Sequence, residues 1–532
     1  MPVAAKSSQS APKPQAARPN ILLIVLDDVG FSDFGAFGSE IRTPNIDALA
    51  RQGLRYNRFD TKSICSPTRA ALLTGRNNQT VHMEDLAANV EASADPSISA
   101  AARGELPRNA ETVAQALHRV GYATFALGKW HLAPRYDDKP GFTKASWPLQ
   151  RGFDRFYGFL SGWTDQYKPD LVEDNAPIAA PSAPDYHLTP DLIDHAISAF
   201  GDKAEEGGKP RFVYLALGAA HAPIQVPRPY IDAYADTYAK GWDAIRAERF
   251  ARLKQQGVIP ANTVLPPREA GDRAWSDLTE QEKTVFARFM ATYAGFITHT
   301  DAQIGRLIDH LRKTGQYENT LIVLLSDNGG APEAGQIGGF KHPYRYDMSV
   351  ADMAQQLDKL GGPESQALYQ RPWALAGATP FRRYKLWPYA GGTRTPLVVS
   401  WQNGIKAHGE VRGQFVDAID IGPTLLDVAG TSFRKSIDGT AQIPVAGRSI
   451  RATFASPTAR TRDIQFFELF DTSADYSEST DLSARYPAKL KELQALWWRE
   501  ARKYSEPALA EPARNIRAMR QFEDGAPSRA QD

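Results

Sequence analysis

Residues 20–28 read NILLIVLDD, six consecutive apolar side chains between an asparagine and two aspartates. A strand with one wet face alternates apolar and polar residues. An unbroken run containing Ile and Val therefore reads as a strand buried on both faces. Three more runs follow the same rule. RFVYLALGAAHAP runs into His221, TLIVLLSDNGG ends at Asp327, and TPLVVSW is the last of the set. Segments of helical spacing stand between them: TPNIDALARQGLRY, ETVAQALHRV, DAQIGRLIDHLRK and FVDAIDIGPTLLDVAG. Gly121 and Gly430 lie just past helix ends, and after Gly121 a short strand is expected to end near Gly128. The alternation predicts an α/β fold, a mainly parallel central sheet with helices on both faces.

In such sheets ligands bind beyond the carboxyl ends of the strands. Here those ends carry Asp27-Asp28, Lys129-Trp130-His131, His221 and Asp327-Asn328. Four strand ends thus bring ionisable or metal-liking groups to one edge, which marks a candidate active site. The paired aspartates have two readings, a cap for the next helix or ligands for a hard cation. With Asp327-Asn328 added, the all-oxygen set suits Ca²⁺ or Mg²⁺.

Two inserts interrupt the pattern: a charged helical excursion over about 227–290, and an irregular Gly- and Pro-rich stretch over about 331–380. Inserts of this kind often shape substrate access. Residues 1–18 read as a disordered lead, 19–430 as the catalytic domain, 431–510 as a small, apparently shortened C-terminal α+β subdomain, and 511–532 as a tail. Within the subdomain RDIQFFELF reads as a strand and PAKLKELQALWWREARKYSE as an amphipathic helix, with Trp497 and Trp498 packing on the sheet.

The 62 basic and 61 acidic residues leave a net charge of +1 with no long run of one sign. That speaks against nucleic acid or an anionic membrane as the main partner. No run approaches the length of a membrane-spanning helix. The N-terminal stretch lacks the apolar core of a secretory signal, so a cytoplasmic protein is expected, or a periplasmic one whose signal has been removed. The single cysteine, Cys65, rules out an intramolecular disulfide. It lies in a polar turn before a probable helix, where it is either a small packing residue or a reactive group.

Five segments, in order, carry a family resemblance: PNILLIVLDDVGFSDFGAFG, CSPTRAALLTGR with its C-x-P-x-R pattern, GYATFALGKWHL, LLSDNGG and KLWPYAGGTRTP. The chain resembles the type I, formylglycine-dependent sulfatases of the alkaline phosphatase superfamily, and among them the bacterial arylsulfatases of the Pseudomonas type. The resemblance runs from about Pro19 to Gly430.

It implies hydrolysis of a small-molecule sulfate monoester, with one Ca²⁺ per chain and with Cys65 oxidised to formylglycine by a separate generating enzyme. Asp27, Asp28, Asp327 and Asn328 would hold the Ca²⁺, which also touches residue 65. Arg69 would steady the hydrated aldehyde, Lys129 and Lys385 would grip sulfate oxygens, and His131 would orient or deprotonate the diol. His221, with Lys385, would protonate the leaving oxygen. One diol oxygen would attack sulfur and the other would later expel sulfate. Ser66 is a good N-cap residue and Pro67 a good first-turn residue, which puts residue 65 at a helix N-terminus, a place that favours anions. Ca²⁺, Lys129, Lys385 and Arg69 against Asp27, Asp28 and Asp327 leave a balance of +2, enough for one ester anion and one ionised diol oxygen. Alternatives on the same scaffold are a phosphodiester or phosphonate monoester hydrolase, or a metal-binding protein without activity.

Other assignments follow from position. Lys385 is preferred to Arg382 or Arg383 as the anion clamp because it stands six residues before Gly391, as in the family. His299 and Asp301 are expected to begin a helix as packing or capping residues. Trp163, Tyr167 or Trp387 are candidates for stacking on an aryl group. Three features depart from the family pattern: Ala390 replaces a usual Glu or Gln, Ala133 replaces a frequent Gly, and a C-terminal hairpin is expected to be missing.

Overall fold

Asn20–Leu26 and Thr320–Ser326 pair in parallel along their whole length, Asn20 opposite Thr320 and Leu26 opposite Ser326. The next residues, Asp27 and Asp327, therefore leave the sheet side by side although far apart in sequence. On its other side Asn20–Leu26 pairs in parallel with Arg211–Ala216, which pairs with Ala123–Lys129, which pairs with Arg155–Phe159. These five parallel strands form the middle of a ten-stranded sheet. Leu397–Ser400, Leu54–Tyr56 and Glu410–Arg412 extend it on one side, and Leu171–Glu173 and Ala176–Ile178 on the other. The computed structural model describes residues 18–87, 104–134, 144–202, 208–341, 348–462, 475–479 and 485–504.

Burial on both faces is what the apolar runs require. Ile21, Leu23 and Val25 enter one core, and Leu22, Ile24 and Leu26 the other, all fully buried. Helices Cys65–Thr74, Val113–Arg119 and Ala418–Val428 cover the first face. Pro44–Gln52, Leu188–Phe200 and the 34-residue helix Glu280–Lys313 cover the second. The long helix starts at a capping box, Thr279 and Glu282 each bonding the other's backbone N–H. Each face thus has roughly the area of a helix flank removed from solvent, worth about 25 cal/mol per Å² of apolar surface.

The fourth apolar run behaves differently from the other three. Leu397–Ser400 pairs antiparallel with Thr320–Ser326, so its beginning, not its end, lies at the functional edge. Thr395 Oγ1 donates to the Ser326 carbonyl at 2.9 Å. The loop preceding the strand, with Lys385, is thereby brought to the carboxyl ends of the others.

Three expectations change. His299 and Asp301 lie inside Glu280–Lys313 rather than at its start. Asp301 caps a different helix, accepting from the backbone N–H groups of Asn45 at 3.2 Å and Ile46 at 2.8 Å. His299 packs edge-on against His187 and Tyr230. In the C-terminal helix Pro487–Tyr504, Trp498 is exposed rather than packed on the sheet. The expected strand RDIQFFELF lies, but for its first residue, outside the described residues. Among the described residues no helix is long and apolar enough to cross a membrane.

Candidate active site

Cys65 is the first residue of Cys65–Thr74, a helix buried along its whole length. The N-cap is Ile64, in extended backbone, and not Ser66. Ser66 ties the helix to a neighbouring strand end instead: its hydroxyl donates to the His131 carbonyl at 2.7 Å and accepts from Ala87 N–H. The helix stops at Gly75, whose φ of 64° is left-handed and whose N–H returns to the Ala71 carbonyl. Cys65 therefore presents its side chain at a helix N-terminus, where unpaired N–H groups and the helix dipole favour negative charge.

The strand ends converge on it. Asp27 Oδ1 is 3.5 Å from Cys65 Sγ, and its Oδ2 is 2.5 Å from Lys129 Nζ. Arg69, one helical turn after Cys65, lies 2.7 Å from Asp327 Oδ2 and 3.9 Å from Asp27, and donates to the Lys129 carbonyl. Lys385 Nζ is 2.9 Å from Asp28, and Asn328 Nδ2 donates to Asp28 at 2.6 Å. Ligand atoms of Asp27, Asp28, Cys65 and His221 all fall within 4.8 Å of one another. Arg382 and Arg383 turn away to Glu269, at 3.9 and 3.2 Å, which leaves Lys385 as the cation at the site.

Burial sets the electrostatics. It works to raise Asp27, but Lys129, then His221 and Arg69, outweigh it and hold that carboxyl well below its usual range. Burial and the neighbouring Asp27 raise Asp28 and push Asp327 up to about 7. Oδ1 of Asp327 and Oδ1 of Asn328 are buried and accept no hydrogen bond. Carboxyls this costly to ionise, with orphaned oxygens beside them, are what a divalent cation would relieve, and an all-oxygen donor set fits a hard one.

The two histidines are neutral. His131, at a left-handed φ of 53°, is held well below the ordinary histidine range by burial, then by Lys129 and Arg69. Burial and then Lys385 push His221 down to about 3. His221 Nδ1–H donates to the Ala222 carbonyl at 2.6 Å, which leaves Nε2 as the atom facing Asp28 at 3.7 Å.

A family model described as Sulfatase matches residues 19–431. The chain belongs to the sulfatase family. It is a type I sulfatase of the alkaline phosphatase superfamily, and a sulfuric ester hydrolase. An uncharacterized sulfatase of Schizosaccharomyces pombe is 34% identical over 439 residues, 78% of this chain and 76% of that one. The arylsulfatase of Klebsiella aerogenes is 32% identical over 455 residues, 82% of this chain and 92% of its own. The crystal structure of Ps i-CgsB in complex with k-i-k-neocarrahexaose shares the fold, with a TM-score of 0.62 and 23% identity, covering 96% of this chain and 98% of that one.

The sulfatase site also contains residues that sequence reading passed over. Glu333 lies 2.9 Å from Lys385 Nζ. The only hint was an acidic residue among small ones in GGAPEAG, six positions past Asp327. It adds a fourth carboxylate beside the cations of the site. Tyr214, mid-strand, has its hydroxyl 3.4 Å from Arg69. Tyr293 in the long helix donates to the Asp28 carbonyl and to Asp33, which Arg249 of the helical excursion grips at 2.6 Å. At the departure from the family pattern, the Ala390 N–H donates to Glu478 at 2.8 Å.

Of the three aromatic candidates, Trp163 is the one whose chain neighbour touches a site residue. It follows Gly162, where a Cβ would meet the His131 ring at 2.8 Å, and it is 36% exposed. Tyr167 donates to the Gly361 carbonyl, and Trp387 lies under Arg383 at 4.2 Å.

Proposed function

We propose that this sulfatase hydrolyses aryl sulfate monoesters, with Cys65 converted to formylglycine by a separate maturation enzyme and one Ca²⁺ held by Asp27, Asp28, Asp327 and Asn328 beside residue 65. The formylglycine would supply a hydrated aldehyde whose hydroxyl is the nucleophile, and the Ca²⁺ a fixed positive charge. The side chains do the rest. Lys129 and Lys385 hold the oxygens of the sulfate, their ammonium groups already confined among the strand-end carboxylates. Arg69 fixes the position of residue 65 by bridging Asp327 and the Lys129 carbonyl. His131, neutral and able to accept, takes the proton of the nucleophile. Lys385 faces the leaving oxygen and protonates it, so that the phenol departs neutral, while His221, whose Nδ1–H is held by the Ala222 carbonyl, offers only an acceptor at Nε2 beside Asp28. General acid–base help of this kind is worth about 10²–10⁴ in rate.

The observation that carries the reading is the 3.5 Å approach of Asp27 to Cys65 at the head of a buried helix, with two donorless oxygens alongside. Similarity to an arylsulfatase and the exposed Trp163 support the aryl preference. Peptide mass spectrometry across residues 64–76 tests it. The aldehyde is expected at position 65 in protein that hydrolyses 4-nitrophenyl sulfate, and Cys65→Ala is expected to lose about 10³-fold or more in turnover. Undiminished activity in Cys65→Ala would remove the nucleophile assignment. A thiol throughout, with no turnover, would point to an inactive member of the family.

A further inference from the structure

We infer that Gln225 is a positioning residue, an amide clamp that fixes the loop beside His131 against the loop that carries His221. The segment after Arg211–Ala216 includes HAPIQVP, in which the glutamine stands between two buried aliphatics, Ile224 and Val226. Gln225 is itself fully buried. An amide in such a place must find partners for its carbonyl and its N–H groups or forfeit its hydration. It finds them on two other segments. Its Oε1 accepts from the Gln166 N–H at 2.8 Å, and its Nε2 donates to Asp165 Oδ2 at 2.8 Å and to the Ser365 carbonyl at 2.9 Å. The backbone on either side is pinned as well: Ile224 N–H donates to the Ala367 carbonyl and Val226 N–H to the Gly361 carbonyl. His187 Nε2 lies 3.1 Å from the Gln225 carbonyl, and its Nδ1 accepts from Thr189 N–H, which places the ring proton on Nε2.

Each clamped segment leads to the site. Asp165 also organises its own turn, its Oδ1 accepting from the Tyr167 and Lys168 N–H groups at 2.8 and 2.9 Å. A few residues earlier in the same loop, the Leu160 carbonyl accepts from His131 N–H at 3.1 Å, and Gly162 lies against the His131 ring. His221 stands four residues before Gln225 in the other loop, and its N–H closes a turn on the Gly218 carbonyl. One side chain thus sets the distance between the segment that backs His131 and the segment that holds His221, and joins both to the insert at Ser365. The inference rests on the proposed function, in which His131 takes the proton of the nucleophile. A base must stand within hydrogen-bond reach of its proton, and a shift of about 1 Å can cost about 10²-fold in rate. The groups proposed to grip the sulfate, Lys129, Lys385 and Arg69, are held on other segments by Asp27, Asp28 and Asp327. Loosening the clamp should therefore slow the reaction while leaving the anion's hold intact.

The test uses Gln225→Glu, which keeps the shape but sets a carboxylate oxygen against Asp165 and the Ser365 carbonyl. Turnover of 4-nitrophenyl sulfate, calorimetric binding of inorganic sulfate and amide hydrogen exchange are measured together. In Gln225→Glu, kcat is expected to fall about 10–10²-fold, with sulfate affinity within about two-fold of wild type. Peptides spanning 161–170 and 361–367 should exchange about ten-fold faster. Adding Asp165→Asn supplies a donor facing the new carboxylate, so it should restore slow exchange in 161–170 but not in 361–367, and recover part of kcat. An unchanged kcat overturns the inference, as does a loss of kcat without faster exchange in those peptides, or an equal loss of kcat and sulfate affinity. If the wild-type protein hydrolyses no sulfate ester while exchange in both peptides still responds, the proposed function fails and the clamp stands. Asp165→Ala, which removes one partner and leaves Gln225 in place, gives the 161–170 exchange and kcat readings if the glutamate variant does not fold.

Discussion

Gly162 sits against the ring of His131, and a methyl group there would meet that ring at 2.8 Å. The ring cannot retreat freely, because His131 is buried and its backbone is left-handed. Gly162→Ala is therefore expected to move the imidazole by some tenths of an ångström and lower kcat by up to about 10²-fold, with the melting temperature nearly unchanged. Steady-state kinetics beside a thermal melt checks this; an unaltered kcat would show that the position of His131 is not critical. Lys129→Ala removes a buried donor aimed at the site, and kcat/KM for 4-nitrophenyl sulfate is expected to fall about 10²–10³-fold. At this scale the sequence was legible where charge interrupts an apolar run, as at Asp27, Lys129, His221 and Asp327. Glu333 was not legible in the same way, since a glutamate in a Gly- and Pro-rich loop usually faces water. Only the approach of Lys385 shows that this one does not.

Among the elements, the helix ends were read with mixed success, for a physical reason. Gly121 and Gly430, just past their helices, were legible because a glycine beyond a helix end is a local signal. Asp301 caps Pro44–Gln52 from another helix, and no local pattern signals that contact. Burial pushes its carboxyl up to about 6 from an ordinary 3.8. Between those values the folded state keeps a proton that the unfolded chain loses. The contribution is thus fully present below about pH 3.8 and is lost as the pH rises through 6. Asp301→Asn, which keeps an acceptor without the charge, is expected to equal or exceed wild-type stability at pH 7 and to lose that advantage by pH 4. Asp301→Ala should lose about 1–2 kcal/mol through the missing cap. Urea unfolding at the two pH values checks both, and a pH-independent difference between wild type and Asp301→Asn would contradict the assignment. The direction of Leu397–Ser400 was equally invisible to pattern, since an apolar run reads the same both ways.

Across the whole molecule, one cluster of buried carboxylates couples stability to a ligand. Asp28 and Asp327 are disfavoured as anions where they stand, so a bound cation should stabilise the fold as well as serve the reaction. Chelation with EGTA is expected to lower both the melting temperature and the activity, and added Ca²⁺ to restore them. The gain is about 2.7 kcal/mol at a hundred-fold excess over Kd, and a melt indifferent to EGTA and Ca²⁺ would count against the site. The helical excursion is part of this unit, because Arg249 reaches the loop after Asn20–Leu26 through Asp33. From residue order alone came the α/β class, the edge at which chemistry gathers, and nearly every side chain now grouped there, because burial on two faces and the acids that end such runs are written locally. Folding in three dimensions settled the register that sets Asp27 beside Asp327, the reversed strand that delivers Lys385, and the nearness of Glu333. Those depend on which distant segments pair and how closely, and short-range pattern carries no record of it.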